Sequence, residues 1–457
     1  MCSVRSLESR SRFSLLHLCL LLVSLVLLPD PGSASVRGTL NFPLIADSGT
    51  SPGSAPAPAT YVYVGAYTEG SNKGDLDTYI SGFAVAGNGS AQKVPGSPFQ
   101  GPSFDMVGNP KFLFASDGHN LVTYTRGADG SLKQTFSVNG TQYDPCQKYV
   151  YDRAGLRRCD DGPAGLSLDL TGQTLYVFEN FYDGSDNAYL SWKIAPDGSL
   201  SYVPDQTDNP VWATAGGWPL SFATNDRYAY TTSVCKWDGN VWGLLRNPET
   251  GSVTYFNSGA APPPPLLAGG YVGCSDALAV SSTGFVTVLW DGAYCCGCNG
   301  VLQATYTINK DGTLGLVPNS AFVPTVTECE GWNCRDMAFD PSGRYLAISG
   351  AVYTSDYPPY TSYSAIQTYQ LQADGTLAAI GPPRRWEPST VYFSSVAWDN
   401  ANHLYALSTQ CERSSYYNCA SFLYIFNATE GTLTPAPGSP HPVGPGSATD
   451  LVIIPGS

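Results

Sequence analysis

Carboxylates are the side chains in this sequence best suited to move a proton. Asp160-Asp161, Asp276, Glu328, Glu330 and Asp336 lie in turn-rich segments just ahead of short apolar runs. A buried or paired carboxylate can have its pKa raised toward the working pH and take a proton from water. Arg157, Arg158 and Arg335 stand close to these acids and could hold an anionic substrate. Histidine is scarce: beyond the N-terminal apolar segment only His119, His403 and His441 remain. His403 falls in a hairpin turn, Asn402-His403-Leu404-Tyr405, and His441 follows Ser439-Pro440; both read as turn or solvent-exposed positions. Trp212, Trp218, Trp237, Trp242, Trp290, Trp332 and Trp386 supply flat apolar faces that can stack on sugar or aromatic rings, or equally pack between sheets.

Three other patterns carry no chemistry. Gly49-Thr50-Ser51-Pro52-Gly53 matches a nucleophile elbow, yet it has no strand before it and no helix after it. Cys295-Cys296-Gly297-Cys298 lacks a second pair of ligands at zinc spacing. Asp183-Gly184-Ser185-Asp186-Asn187 lacks the distal bidentate Glu of a calcium loop. No metal and no cofactor are expected.

The elements that would position the carboxylates are strands. Gly 48 and Pro 35 make up about 18% of the chain, against roughly 12% in average proteins, while charged residues are only 13%. That mixture suits many short strands joined by turns and excludes a coiled coil. A unit of strands repeats seven times, each closing on a Gly turn: Asn88-Gly89-Ser90, Asp129-Gly130-Ser131, Asp197-Gly198-Ser199, Thr250-Gly251-Ser252, Asp311-Gly312-Thr313, Asp374-Gly375-Thr376 and Glu430-Gly431-Thr432. About 28 strands cannot form one open sheet, whereas radial repetition protects the edges. The expected fold is all-β: a seven-bladed β-propeller of four-stranded antiparallel blades. The ring would be closed by the C-terminal strand Asp450 to Ile454, which supplies the strand that Tyr61 to Val64 lacks.

Ahead of the propeller, residues 1–34 read as a signal peptide, with Arg5, Arg10 and Arg12 before an apolar run and Gly32-Ser33-Ala34 as the cleavage site. Residues 35–60 form a flexible Ser/Pro/Gly/Ala linker, and 61–457 the propeller. The apolar run is short of the roughly 20 residues of a span, so a retained anchor is the weaker alternative and no membrane span is expected after cleavage. The chain is thus expected outside the cytoplasm, secreted or periplasmic. There disulfides form, and neighbouring cysteines such as Cys329 and Cys334, Cys411 and Cys419, and Cys146 and Cys159 can tie loops, with Cys235 reaching Cys274. A net charge of −14 excludes nucleic acid as a partner, because such binding neutralises phosphates with Lys and Arg. A monomer is expected.

The stretches YVYVGAYT at 61–68, DPSGRYLAISGA at 340–351, ADGTL at 373–377 and TEGTLTPAPGSP at 429–440 resemble the seven-bladed β-propeller lactonases, which include 6-phosphogluconolactonases and carboxymuconate-lactonising enzymes. The resemblance spans 61–457 and implies a site at the start of each blade's first strand, where the family carries His, Arg and acidic residues. Asp336 falls where the family's sixth blade has an acid. Elsewhere the chain departs from the pattern: Pro219 stands near the fourth blade's His, Asp276-Ala277 replaces the fifth blade's Arg-His pair, and Ser394 replaces the seventh blade's Arg. Asp336, with Arg335 and Asp276, is therefore the candidate catalytic set, and Trp218, Asp161 and Glu330 the candidate ligand-binding set.

With the family's base missing, the reading is a ligand- or partner-binding scaffold for a small lactone or saccharide. The alternative is a lactone hydrolase, a lactonase-type carboxylic ester hydrolase acting on sugar or aromatic lactones through a carboxylate site in the channel.

Overall fold

The computed structural model describes residues 60–69, 76–117, 120–140, 163–180, 187–203, 212–213, 216–217, 219–234, 241–255, 261, 275–291, 301–322, 336–353, 362–386, 391–411 and 419–456. The chain divides into Met1–Ala55 and Pro56–Ser457, and the described residues all belong to the second unit. The expected signal peptide and nearly all of the linker lie outside the described residues.

Seven antiparallel sheets form the ring. Blades 2 to 7 take their inner strands from Asp105–Gly108, Pro163–Leu168, Gly216–Gly217 with Ser221–Phe222, Ser275–Val280, Asp336–Phe339 and Val391–Trp398. Blade 1 is assembled from both ends of the propeller, its inner strand Ser447–Pro455 pairing with Thr60–Glu69 from Thr60 opposite Pro455 to Tyr67 opposite Ser447. The expected closure is the observed one.

Alternation along each strand explains why these sequences fill a ring. In Thr60–Glu69, Val62, Val64 and Ala66 face blade 7 while Tyr61 and Tyr63 face blade 2, so a period of two buries both faces of the sheet. Seven such apolar clusters, one between each pair of neighbouring blades, make up the core.

The Gly turns read from the sequence are all present. Gly130 adopts φ +82°, a conformation that a side chain strains, and a Cβ there would run into the Tyr61 ring of blade 1. The turn thus plugs onto the preceding blade, and the Tyr63 hydroxyl donates to the Gly130 carbonyl at 2.7 Å. The same latch recurs from Thr123 to Gly198, Tyr176 to Gly251 and Tyr230 to Gly312.

The expectation of four strands per blade needs one refinement. In four blades the chain returns after the outer strand and pairs again with the third, as Phe99–Gln100 does with Tyr79 and Ile80. Between Ala91–Lys93 and Phe99–Gln100 lies Val94-Pro95-Gly96-Ser97-Pro98, and proline has no N–H to give to a ladder, so one edge strand becomes two.

Candidate functional site

Inner strands of neighbouring blades lie side by side around the centre of the ring. Three of them carry an aspartate at matching positions: Asp105 and Asp336, each followed by Met, and Asp450, followed by Leu. All three are half-buried. Their carboxylates are bound to backbone amides, and the acceptor work reaches into the next blade.

The Val396 N–H of blade 7 donates to Asp336 Oδ2 at 2.9 Å, the Ser395 hydroxyl donates to the same oxygen at 2.8 Å, and the Met337 N–H donates to Oδ1 at 2.8 Å. Asp450 repeats this arrangement at the closure: the Met106 N–H of blade 2 donates to its Oδ2 at 2.6 Å and its neighbour Leu451 donates to Oδ1 at 2.7 Å. Asp105 in turn takes a bond from the backbone of Gly165 in blade 3. Where blade 3 has no aspartate, the Ser167 hydroxyl accepts the Leu220 N–H of blade 4 at 2.6 Å. The inner strands of blades 1, 2, 3 and 6 therefore each grip their successor in the same sense around the ring.

Hydrogen bonds to a charged acceptor contribute about 1.5–3 kcal/mol. An amide at 336 keeps one accepting oxygen and turns an N–H₂ toward a donor. Asp336→Asn is accordingly expected to lower stability by about 1.5–3 kcal/mol, read as a lower denaturant midpoint in urea unfolding. An unchanged midpoint would remove the clasp.

The same packing sets the protonation of the group. Burial pushes the Asp105 and Asp336 carboxyls above the ordinary range, against the backbone bonds that favour the charged form. Asp450 is raised to about 7, by burial first and then by the negative charges of Asp105 and, more weakly, Asp336. An unfolded aspartate releases its proton near 3.9. Between that value and about 7 the native state holds more protons than the unfolded chain, so this contribution to stability is present at low pH and lost as pH rises. Asp450→Asn should flatten the decline in thermal midpoint between about pH 4 and pH 7, measured by calorimetry across that range.

Within the candidate catalytic and ligand-binding sets, Asp336 is the residue whose side chain is described, and it sits at the head of its inner strand as expected. Asp276 lies in the inner strand of blade 5, opposite a break in register between Ser275 and Ala277, and its side chain is outside the described residues. Arg335, Trp218, Asp161 and Glu330 are outside them as well. Asp105 and Asp450 are the two that sequence reasoning passed over. The repeated Asp-Met pair at 105–106 and 336–337 was the available signal for the first.

His403 corrects the expectation of an exposed turn residue, being buried at 2% exposure. Its Nδ1 lies 2.8 Å from Asp399 Oδ2, an oxygen that also receives the hydroxyls of Tyr405 at 2.8 Å and Thr60 at 2.9 Å. Burial works against the Asp399 charge, but the bonds from His403 and Tyr405 prevail and hold its carboxyl below the ordinary range. His403 is thus part of a lock that ties Thr60 of blade 1 to blade 7. His441 is half-buried beside Phe83. Trp290 is fully buried and Trp386 packs edge-on against Phe393, Tyr424 and Phe426, so both serve the core. Among the described residues no group of acids, histidines or cysteines is arranged to hold a metal ion.

Comparison with solved structures matches this ring. The periplasmic gluconolactonase of Pseudomonas aeruginosa superposes with a TM-score of 0.53 at 16% identity, over 87% of this chain and 99% of that one. The chain has a gluconolactonase's fold. A protein from Lactobacillus plantarum superposes with a TM-score of 0.52 at 12% identity, over 86% of this chain and 98% of the other. No family model and no curated protein matches the sequence. The lactonase-like propeller is therefore shared architecture, and propellers carry many chemistries.

Proposed function

We propose that this protein is an exported lactonase-like propeller that acts as a binding scaffold, as a monomer, for a neutral saccharide or lactone. The observation that supports this most is the occupation of the inner-strand carboxylates. Asp336 and Asp450 each have both oxygens committed to N–H donors, which leaves them poorly placed to activate water. His403, the described histidine with a carboxylate partner, is sealed in the lock between blades 7 and 1. The negative charges of Asp105 and Asp336, which already act against that of Asp450, also disfavour an anionic ligand beside these inner strands.

Export rests on the N-terminal signal pattern and agrees with the periplasmic origin of the Pseudomonas structure. Isothermal titration with neutral oligosaccharides, aldonolactones and their phosphorylated forms tests the ligand class. Saturable binding of a neutral compound, at least about tenfold tighter than its phosphorylated form, is expected; the reverse order would contradict the charge argument.

A lactone hydrolase is the second reading, and the raised Asp450 favours it. A carboxyl that titrates near 7 is in the range of a general base. In that reading Asp336 and Asp276 complete the acidic set and Arg335 holds the substrate.

A further inference from the structure

Three N-x-Ser/Thr triplets occur in the propeller: Asn88-Gly89-Ser90, Asn139-Gly140-Thr141 and Asn427-Ala428-Thr429. In a secreted chain this triplet is the acceptor for N-linked glycan. The three asparagines stand in different surroundings.

Asn88 is exposed in the outer turn of blade 1, where the Ser90 N–H and hydroxyl donate to its Oδ1 at 3.0 and 2.8 Å. Four other blades build the same turn with aspartate. Asp129, Asp197, Asp311 and Asp374 each receive the N–H and hydroxyl of the residue two further on, at 3.0 to 3.1 Å and 2.6 to 2.7 Å. The turn therefore needs only the one oxygen, and the amide at 88 adds nothing to it except a nitrogen on the other branch of the side chain. Asn139 is exposed at the end of the outer strand of blade 2.

Asn427 is different. It lies half-buried in the third strand of blade 7, and a Cβ on Gly89 of blade 1 would come within 2.8 Å of its Oδ1 and 2.6 Å of Ala436 Cβ. Asn427 thus carries its side-chain amide into the junction that closes the ring, against the blade 1 turn, where a glycan would crowd Gly89 and Ala436.

We propose that Asn88 and Asn139 are N-glycosylation sites of this protein and that Asn427 is not. The inference rests on the export reading. The donor would be a lipid-pyrophosphate-linked oligosaccharide. The amide nitrogen bonds to the anomeric carbon, the sugar C–O bond to the pyrophosphate breaks with its electron pair leaving on the lipid pyrophosphate, and one amide proton is released. Glycans would then sit on blades 1 and 2, the one at Asn88 next to the Gly89 that packs against Asn427 at the seam between blades 7 and 1, while Asn427 itself stays unmodified.

The full chain is expressed in a eukaryotic secretory host, its N-terminus is sequenced, and its peptides are weighed after treatment with a peptide N-glycosidase, which turns each glycosylated Asn into Asp. The expected result is a secreted chain starting near Ser35 with residues 88 and 139 converted and 427 unchanged. Ser90→Ala should lose the glycan at Asn88 while Ser90→Thr keeps it, a pair that separates acceptor chemistry from folding. A secreted, processed chain with Asn88 unmodified, or a soluble one carrying glycan at Asn427, overturns the proposal alone. A chain retained in the cell with residues 1–34 still attached overturns the export reading and this proposal with it.

Discussion

A chain truncated after Gly446 is expected to show no cooperative unfolding transition. The truncation removes Ser447–Pro455, the inner strand of blade 1, and with it the pairing to Thr60–Glu69. Leu451 leaves the core between blades 7 and 1, and Val452 and Ile454 leave the core between blades 1 and 2. Cutting back a single buried aliphatic side chain costs about 2–5 kcal/mol, and total stability is about 5–15 kcal/mol, so three such losses together match the whole. The Asp450 clasp on Met106 goes too, and the exposed edge of Thr60–Glu69 becomes a template for aggregation. Far-ultraviolet circular dichroism on heating measures this directly. A permuted chain in which residues 447–455 precede Thr60 through a short linker should regain the transition, because the closure needs the strand and not its place in the sequence. A truncated chain that melts cooperatively near the full-length midpoint would show that the ring closes by other means.

The second large effect is expected at Arg246, at the junction of blades 3 and 4. Its guanidinium pairs with Asp169 and with Asp226 at 3.1 Å, and its Nε donates to the Tyr176 hydroxyl at 3.0 Å. The Asp169 side chain is fully enclosed. Breaking a buried ion pair by removing one partner costs about 3–5 kcal/mol, since the remaining charge has lost its counterpart. Arg246→Met should therefore destabilise by about 3–5 kcal/mol, read as a drop in urea midpoint. Adding Asp169→Asn should recover part of the loss. The amide keeps an oxygen for the Gln173 and Thr174 N–H groups, which donate to Asp169 Oδ1 at 2.8 and 3.2 Å, and carries no stranded charge. A double variant less stable than Arg246→Met alone would contradict this electrostatic account.

The ring was legible because its signals are local. A Gly turn with its Ser or Thr two residues after the Asn or Asp lies within one short segment, and the apolar alternation of Thr60–Glu69 lies within one strand. The clasps were not legible, because an aspartate's partner belongs to the next blade. Asp336 meets Val396 sixty residues on, and Asp450 meets Met106 from the opposite end of the propeller. Asp336 could be placed at the head of a strand by pattern, yet whether its oxygens were free for chemistry depended on a strand elsewhere. His403 shows the same limit: Asp399 four residues earlier is visible in the sequence, but the burial of the pair depends on Thr60 arriving from blade 1.

The central claim is that the described inner-strand carboxylates, Asp105, Asp336 and Asp450, bind the blades together instead of serving as the base of a hydrolysis. Proton release by the purified wild-type protein, followed at pH 7 to 8 over a panel of neutral sugar and aromatic lactones, tests it most directly. The account predicts rates equal to those of the lactones in buffer alone. Saturable turnover by the wild type that disappears in an Asp336→Asn variant still folded at the assay temperature would contradict it.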